Sequence, residues 1–401
     1  MQVTFTPQKA SGTVKAPPSK SMAHRLLIAA AMSEGTSVVH GLSGSEDVCA
    51  TLDCLAALGV SYTRNGDTAT LCGTDMTKAV PSGDLYCRES GSTLRFMIPI
   101  ALLSGNEVTL VGAPSLMKRP MGIYEDICRE KGLCFAKKDN AITVKGPLPA
   151  GEYVLPGDVS SQFITGLLFA LPCVGESRIR ILPPFESRSY VDLTLSALRD
   201  FGVAVEWEDA YTLFIPANTR FTARICEVEG DYSNAAFLDS LNLLGSDVTV
   251  TGLRADSLQG DRVYRDYFEA LKKGCPTLNI SDCPDLGPIL FALAAAGQGG
   301  VFEGTRRLRI KESDRAAVMA EELAKFGTRV TVEEDRVTVD PNGFHAPTAP
   351  LFGHNDHRVV MSMAVLCTKV GGTVTGAEAV GKSYPDFFDD LKALGVETVV
   401  S

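Results

Sequence analysis

The chain is short of positive charge, has no apolar run of membrane-spanning length, and contains no Cys-x-x-Cys pair. Lys and Arg total 38 against 48 Asp and Glu, a formal net charge of −10, which argues against nucleic acid as the main partner and against a basic membrane-binding face. The opening M-Q-V-T-F-T-P-Q-K lacks the apolar core of a signal peptide, so a cytoplasmic protein without membrane contact is expected. The 11 cysteines are odd in number, and Cys54, Cys173 and Cys367 fall inside apolar helical patterns. They read as buried reduced thiols rather than as disulfides or zinc ligands. His354 and His357 in H-N-D-H have the look of a metal pair, but no cysteine or acidic cluster completes a site in the sequence, so they read as structural or anion-adjacent and no metal is expected. No G-x-x-x-x-G-K-[ST] or G-x-G-x-x-G follows a strand, and no cofactor is expected.

What is present is a globular composition, 45% hydrophobic and 21% charged, on 401 residues, enough for two domains with separate cores. A pattern repeats along the chain. Helices ending in Leu-Gly or a near equivalent close at Gly59, Gly132, Gly202, Gly274, Gly327 and Gly395, at intervals of about 70 residues with one shorter step of about 53. Each glycine stands where a helix C-cap needs a left-handed residue, and a strand follows most of them. In step with these helices runs a second set, each with a polar opening and a nearly all-apolar body, starting near Ser19, Ser90, Val159, Asp231, Asp285 and Asn355. Helices apolar on every side belong in the middle of a domain. The sequence therefore predicts an α/β fold of two domains, each of three repeated units with a buried and an amphipathic helix. One domain is expected at residues 18–228, and the other at 1–14 plus 230–401, which includes the N-terminal strand Val3–Pro7. The chain would cross between them near 14–19 and 228–231.

If the buried helices point their N-termini toward the gap between the domains, their polar openings converge there. Pro17-Pro18-Ser19 before an apolar helix puts Lys20 and Ser21 at a helix N-terminus, where free N–H groups favour an anion, with Arg25 one turn on. The other openings and three basic segments add Arg95, Ser160, Ser161, Gln162, Arg119, Lys311, Arg315, His357, Arg358 and Lys382, with Asp285 and Glu312 as carboxylates. In R-I-K-E-S-D-R, a helical reading would set Lys311 and Arg315 on one face, one turn apart. So positive a cleft on an acidic protein would attract a polyanionic small molecule, and its binding would draw the two walls together.

The motifs P-S-K-S-x-x-x-R (Pro18 to Arg25), G-S-T-L-R (Gly91 to Arg95), R-P-M-G (Arg119 to Gly122) and S-S-Q-F (Ser160 to Phe163) occur in order. They are followed by R-x-K-E-S-D-R (Arg309 to Arg315), N-D-H-R (Asn355 to Arg358) and G-K-S-Y-P-D (Gly381 to Asp386). In this combination the chain resembles the 5-enolpyruvylshikimate-3-phosphate synthase family. The resemblance implies the two-domain enolpyruvyl transferase fold, an inside-out α/β barrel with its site in the interdomain cleft. It implies transfer of the enolpyruvyl group of phosphoenolpyruvate to the 5-hydroxyl of shikimate 3-phosphate, by a monomer that the inhibitor glyphosate targets at the phosphoenolpyruvate site.

By matching positions, Lys20, Ser21, Arg25, Ser160, Ser161, Gln162, Ser187, Tyr190, Asp285 and Lys311 would hold shikimate 3-phosphate. Lys20, Gly91, Arg95, Arg119, Gln162, Arg315, His357, Arg358 and Lys382 would hold phosphoenolpyruvate, and Lys20, Asp285 and Glu312 would be catalytic. Glu89 stands where many members have asparagine, and Arg307 where some do, so neither is placed in the site. The sister transferase acting on UDP-N-acetylglucosamine differs at the position after the first lysine, and usually carries a loop cysteine that Gly112–Pro120 lacks. A non-catalytic binder of phosphorylated metabolites would keep the arginines and lose Asp285 and Glu312.

Overall fold

The computed structural model describes residues 1–401, which form two compact units: a central unit, Pro18–Glu229, and a terminal unit, Met1–Pro17 with Gly230–Ser401. The central unit contains α1 (Lys20–Met32), α2 (Glu46–Ala57), α3 (Gly91–Ala101), the one-turn α4 (Pro114–Met117), α5 (Gly122–Lys131), α6 (Ser161–Ala170) and α7 (Arg188–Asp200). Of these, α1, α3 and α6 are buried over nearly their whole length, because residues such as Leu27, Ile28, Ile98 and Leu168 point apolar groups in every direction. Helices α2, α5 and α7 keep one polar face. The terminal unit repeats the alternation: α8 (Tyr232–Leu243), α9 (Tyr264–Lys273), α10 (Gly287–Ala296), α11 (Arg315–Lys325), α12 (His357–Val370) and α13 (Phe387–Ala393), with α8, α10 and α12 buried. Each unit has its own hydrophobic core. No helix is long and apolar enough to cross a membrane.

The strands obey one rule in every repeat. The strand after each buried helix pairs in parallel with an entry strand: Thr36–His40 with Ile225–Glu227, Glu107–Gly112 with Leu85–Arg88, and Ser177–Leu182 with Gly151–Pro156. In the terminal unit the pairs are Asp247–Thr251 with Ser11–Lys15, Gly300–Glu303 with Thr277–Asn279, and Gly372–Thr375 with Leu351–Phe352. A parallel partner cannot come from a tight hairpin. Two of these entry strands, Ile225–Glu227 and Ser11–Lys15, are therefore drawn from distant chain, and so each unit closes on itself. Gln2–Phe5 likewise pairs antiparallel with Gly372–Thr375 and Thr398–Val400, taking the place an internal hairpin strand has in the other four-stranded sheets.

The short step in the repeat has a structural cause. After Gly59, Gly132 and Gly327 the chain makes an antiparallel hairpin, as in Ser61–Asn65 with Thr68–Cys72, whereas after Gly274 it passes directly to the entry strand of the next sheet. The sheet of Asp247–Thr251 accordingly has only two strands. Gly274 also departs from the other helix-ending glycines. They lie at φ from +69° to +95°, while Gly274 is at φ +156°, extended toward its strand. The thiols correct one expectation in part. All 11 cysteines are free and Cys54, Cys87, Cys128, Cys283 and Cys367 are buried, but Cys72, Cys134 and Cys275 are exposed at strand ends and a helix exit.

Candidate active site

Each buried helix begins with its first N–H groups unpaired by the helix itself, so its opening is a natural anion contact. Side-chain oxygens cap five of the six. Ser19 accepts from Met22 N (3.4 Å), Ser90 from Thr93 N (3.2 Å), Ser160 from Gln162 N (3.3 Å), Asp231 from Asn234 N (2.8 Å) and Asp356 from Arg358 N (2.9 Å). A capping serine spends a lone pair and keeps its O–H as a donor. The sixth, α10, is entered through a 3₁₀ turn, Pro284–Leu286, with no side-chain cap. Asp285 lies in that turn.

In the central unit several of the expected residues are joined by direct contacts. Lys20 Nζ lies 3.0 Å from Asp47 Oδ2, and the Asp47 carbonyl accepts from Thr93 Oγ1 at 3.3 Å, next to Gly91 at the start of α3. A Cβ on Gly91 would stand 2.7 Å from Arg119 Nη1 and 3.8 Å from Arg95 Nη1, so glycine gives the two guanidinium groups room beside the backbone. Arg95 donates to Gln162 Oε1 (2.7 Å) and to the Pro120 carbonyl (3.2 Å), and Gln162 Nε2 donates to Ser92 Oγ (2.9 Å). Tyr124 donates its hydroxyl to the Arg95 and Phe163 carbonyls, tying α3 to α6.

Arg25 is buried and held by neutral oxygens: the Ser21 carbonyl (2.7 Å), the Tyr190 carbonyl (2.8 Å) and Thr194 Oγ1 (2.9 Å). Burial lowers its guanidinium to about 10. Ser187 precedes α7 at φ +56°, a left-handed conformation uncommon for serine. On the same helix, burial and then the charges of Lys20 and Arg25 hold His24 well below its ordinary range. A cavity of about 590 Å³ in this unit lies at the other end of α1, lined by Met32, Asp75, Pro172 and Phe221, and holds none of the expected residues.

In the terminal unit the chemistry gathers on Asp285. Its Oδ1 lies 3.2 Å from Lys311 Nζ and 2.8 Å from Arg315 Nη1, and its Oδ2 lies 3.1 Å from Arg358 Nη2. Arg315 is 1% exposed, with Nε 2.9 Å from Asp356 Oδ2 and Nη2 2.7 Å from Glu312 Oε2. Burial alone would lower its pKa, but Asp356, Glu312 and Asp285 outweigh that and raise it. Lys311 goes the other way. Burial, joined by Arg307 and Arg315 against the pull of Asp285, brings it down to about 8. His357 is buried at the first position of α12, and Lys382 Nζ donates to the Asn355 carbonyl at 2.6 Å.

Here the structure corrects the local reading. Lys311 and Arg315 do not share a helix face, because Arg306–Ile310 is a 3₁₀ helix, Lys311 is extended, and α11 starts only at Arg315 after the Asp314 cap. They meet instead by converging on one carboxylate. An acidic pair does accompany His354: atoms of Glu321, Glu322 and His354 lie within 4.8 Å of one another, while His357 is not among them. Lys325 Nζ sits 2.8 and 2.9 Å from the two Glu322 oxygens, so an ammonium stands where a metal would need that carboxylate.

Sequence reasoning missed Asp47, Asp356 and Asp261. Asp356 sits inside the N-D-H-R motif at a cap position and was therefore legible; Asp47 reaches Lys20 only through the tertiary fold. Asp261 accepts from Ser233 Oγ at 2.7 Å, and burial, then the charge of Asp285, pushes it up to about 6. Arg307, left out of the site, is buried with Nη1 3.4 Å from the Ser281 carbonyl.

Together the fold and these basic helix openings define a protein that handles small polyanions with carboxylates at hand. The known proteins that it resembles are specific. Residues 5–391 match the family profile described as EPSP synthase (3-phosphoshikimate 1-carboxyvinyltransferase). Two curated relatives named 3-phosphoshikimate 1-carboxyvinyltransferase, from Clostridium kluyveri and Clostridium novyi, are each 38% identical, with 98% of this chain and 97% of theirs covered. An EPSP synthase structure from Acinetobacter baumannii superposes with a TM-score of 0.80 at 24% identity, covering 100% of this chain and 99% of that one. The enolpyruvyl transferase NikO from Streptomyces tendae gives 0.75 at 15% identity, covering 99% and 98%. At those identities the two structures speak to the fold, which is that of the enolpyruvyl transferases. The chain belongs to the EPSP synthase family, and its reaction is enolpyruvyl transfer from phosphoenolpyruvate to shikimate 3-phosphate, a step in aromatic amino-acid biosynthesis.

Proposed function

We propose that the two half-sites serve one ternary complex and divide its chemistry. Two anions must be held with the acceptor hydroxyl against C2 of phosphoenolpyruvate, and joining them in one complex removes most of the entropic barrier. Ser21, Arg25, Ser160, Ser161, Gln162, Ser187 and Tyr190 hold shikimate 3-phosphate, with Asp285 and Lys311 on its ring hydroxyls. Lys20, Gly91, Arg95, Arg119, Gln162, Arg315, His357, Arg358 and Lys382 hold phosphoenolpyruvate, whose site glyphosate shares.

The reaction balances in two steps. The 5-hydroxyl oxygen bonds to C2 as C3 gains a proton and the hydroxyl loses one. C3 then returns a proton as the C2–O bond to phosphate breaks, leaving the enol ether and inorganic phosphate. Asp285 takes the hydroxyl proton, while Glu312 and Lys20 act at the enolpyruvyl carbons. The basic groups stabilise charge on the departing phosphate. The observation that carries this reading is the Asp285 carboxylate, bridged by Lys311, Arg315 and Arg358, with Glu312 also on Arg315. Phosphate release from phosphoenolpyruvate, measured with shikimate 3-phosphate and with UDP-N-acetylglucosamine, tests the acceptor. Release only with shikimate 3-phosphate is expected, and release with the nucleotide sugar would overturn the assignment.

A further inference from the structure

Helix α11 carries a buried stripe of Arg315, Ala316, Met319, Glu322 and Leu323, the spacing of a core-facing surface. Two of its positions hold charged groups where apolar ones ordinarily pack. Glu322 stands two turns beyond Arg315 on the same face, and both grip one loop. Arg315 Nε donates to Asp356 Oδ2 at 2.9 Å. Glu322 Oε2 accepts the Phe352 N–H at 2.9 Å, and Oε1 accepts from His354 Nε2 at 2.9 Å. A carboxylate only accepts, so Nε2 is the donor in this contact. Glu322 is fully buried, and Lys325 compensates its charge.

Between the two grips, His354 and Asn355 stand at φ +49° and +53°, consecutive left-handed residues of a kind that persists only where the surroundings impose it. This turn leads straight into the phosphoenolpyruvate side of the site. The Asn355 carbonyl takes Lys382 Nζ, Asp356 caps Arg358 and accepts from Ser313 Oγ at 3.0 Å, and Arg358 reaches Asp285. If the two residues relaxed to extended backbone, Asp356 would leave the start of α12 and carry these contacts with it.

We propose that Glu322 and His354 form a clamp that fixes the left-handed His354–Asn355 turn and thereby positions Arg358 and Lys382 for phosphoenolpyruvate. Both are positioning residues, acting through the backbone of this loop. The inference rests on the assignment of Arg358 and Lys382 to phosphoenolpyruvate.

Steady-state phosphate release by the full chain, varying each substrate in turn, tests it in His354→Ala, His354→Gln and Arg358→Lys. In His354→Ala the KM for phosphoenolpyruvate rises by about five- to tenfold, with kcat within about twofold and the KM for shikimate 3-phosphate unchanged, the pattern of lost ground-state binding. His354→Gln restores the value, because an amide N–H can still donate to Glu322. If His354→Ala leaves that KM unaltered while Arg358→Lys raises it, the clamp is wrong and the assignment of Arg358 stands. If neither variant moves it, the assignment fails and the clamp with it. Equal rises in both KM values, or a lower melting temperature with both KM values unaltered, would mark the pair as merely structural and overturn the proposal. Glu322→Gln is expected to act in the same direction more strongly; should it fail to fold, the His354 variants decide.

Discussion

The two units hold the arginines of the candidate site in different ways. In the central unit Arg25 rests on backbone carbonyls and threonine hydroxyls, and Arg95 on a glutamine and a carbonyl, so their charges are oriented but not cancelled by those partners. In the terminal unit Arg315 is bound by Asp285, Glu312 and Asp356, and Arg358 by Asp285. Neutral partners leave a positive potential for an anion to use, whereas carboxylate partners consume it. What the second arrangement gains is a set of carboxylates fixed in place, the groups that proton transfer needs. The contrast accords with the proposal that Asp285 and Glu312 of the terminal unit move protons, while both units contribute anion-holding groups.

The largest expected effect that would break this contrast comes from Asp285→Asn. Losing the carboxylate that joins Lys311, Arg315 and Arg358 should lower kcat by about 10²- to 10⁴-fold in steady-state phosphate release. Next comes Arg25→Lys, which loses the planar donor set held by Ser21, Tyr190 and Thr194. Here the KM for shikimate 3-phosphate should rise by about 10- to 100-fold with kcat nearly kept, and a fall in kcat alone would contradict the role of the central unit. Gly91→Ala pushes a methyl to 2.7 Å from Arg119 Nη1 and should weaken glyphosate by about tenfold in its inhibition constant; unaltered inhibition would remove Gly91 from that site.

The smallest effect is a pH dependence. Lys311 loses its proton near pH 8 in the folded chain, against an ordinary 10.5, so the KM for shikimate 3-phosphate should rise a few-fold as pH passes about 8. Between those values the unfolded chain binds the extra proton, so this group's contribution to stability rises with pH across the window, opposite to its effect on binding. Lys311→Arg should abolish the KM trend.

Much of the fold, and the candidate residues themselves, were legible in the chain. The six apolar helices announce themselves because all-round hydrophobicity has only one place to go, and the helix-ending glycines, Gly274 apart, lie near the left-handed region their position required. Several motif residues, Ser19, Ser160 and Asp356 among them, fall on helix openings because capping chemistry is local. What stayed hidden is non-local. Ser11–Lys15 gave no sign of pairing with Asp247–Thr251, since parallel partners carry no turn signal. The ion pair of Asp47 with Lys20 joins separate helices, and the bent path through Lys311–Ser313 reflects tertiary demand on Asp285 overriding the helical pattern of R-I-K-E-S-D-R. Glu322 left a trace that periodicity alone can show: a carboxylate on the buried stripe of an amphipathic helix.

The division of labour is tested most directly by one measurement, a rapid-quench single turnover of Glu312→Gln with both substrates saturating, set beside its dissociation constant for shikimate 3-phosphate. The account predicts a rate constant for enolpyruvyl transfer reduced by at least about 100-fold with that dissociation constant unchanged. A wild-type rate constant, or a loss that appears only as weaker binding, would contradict it.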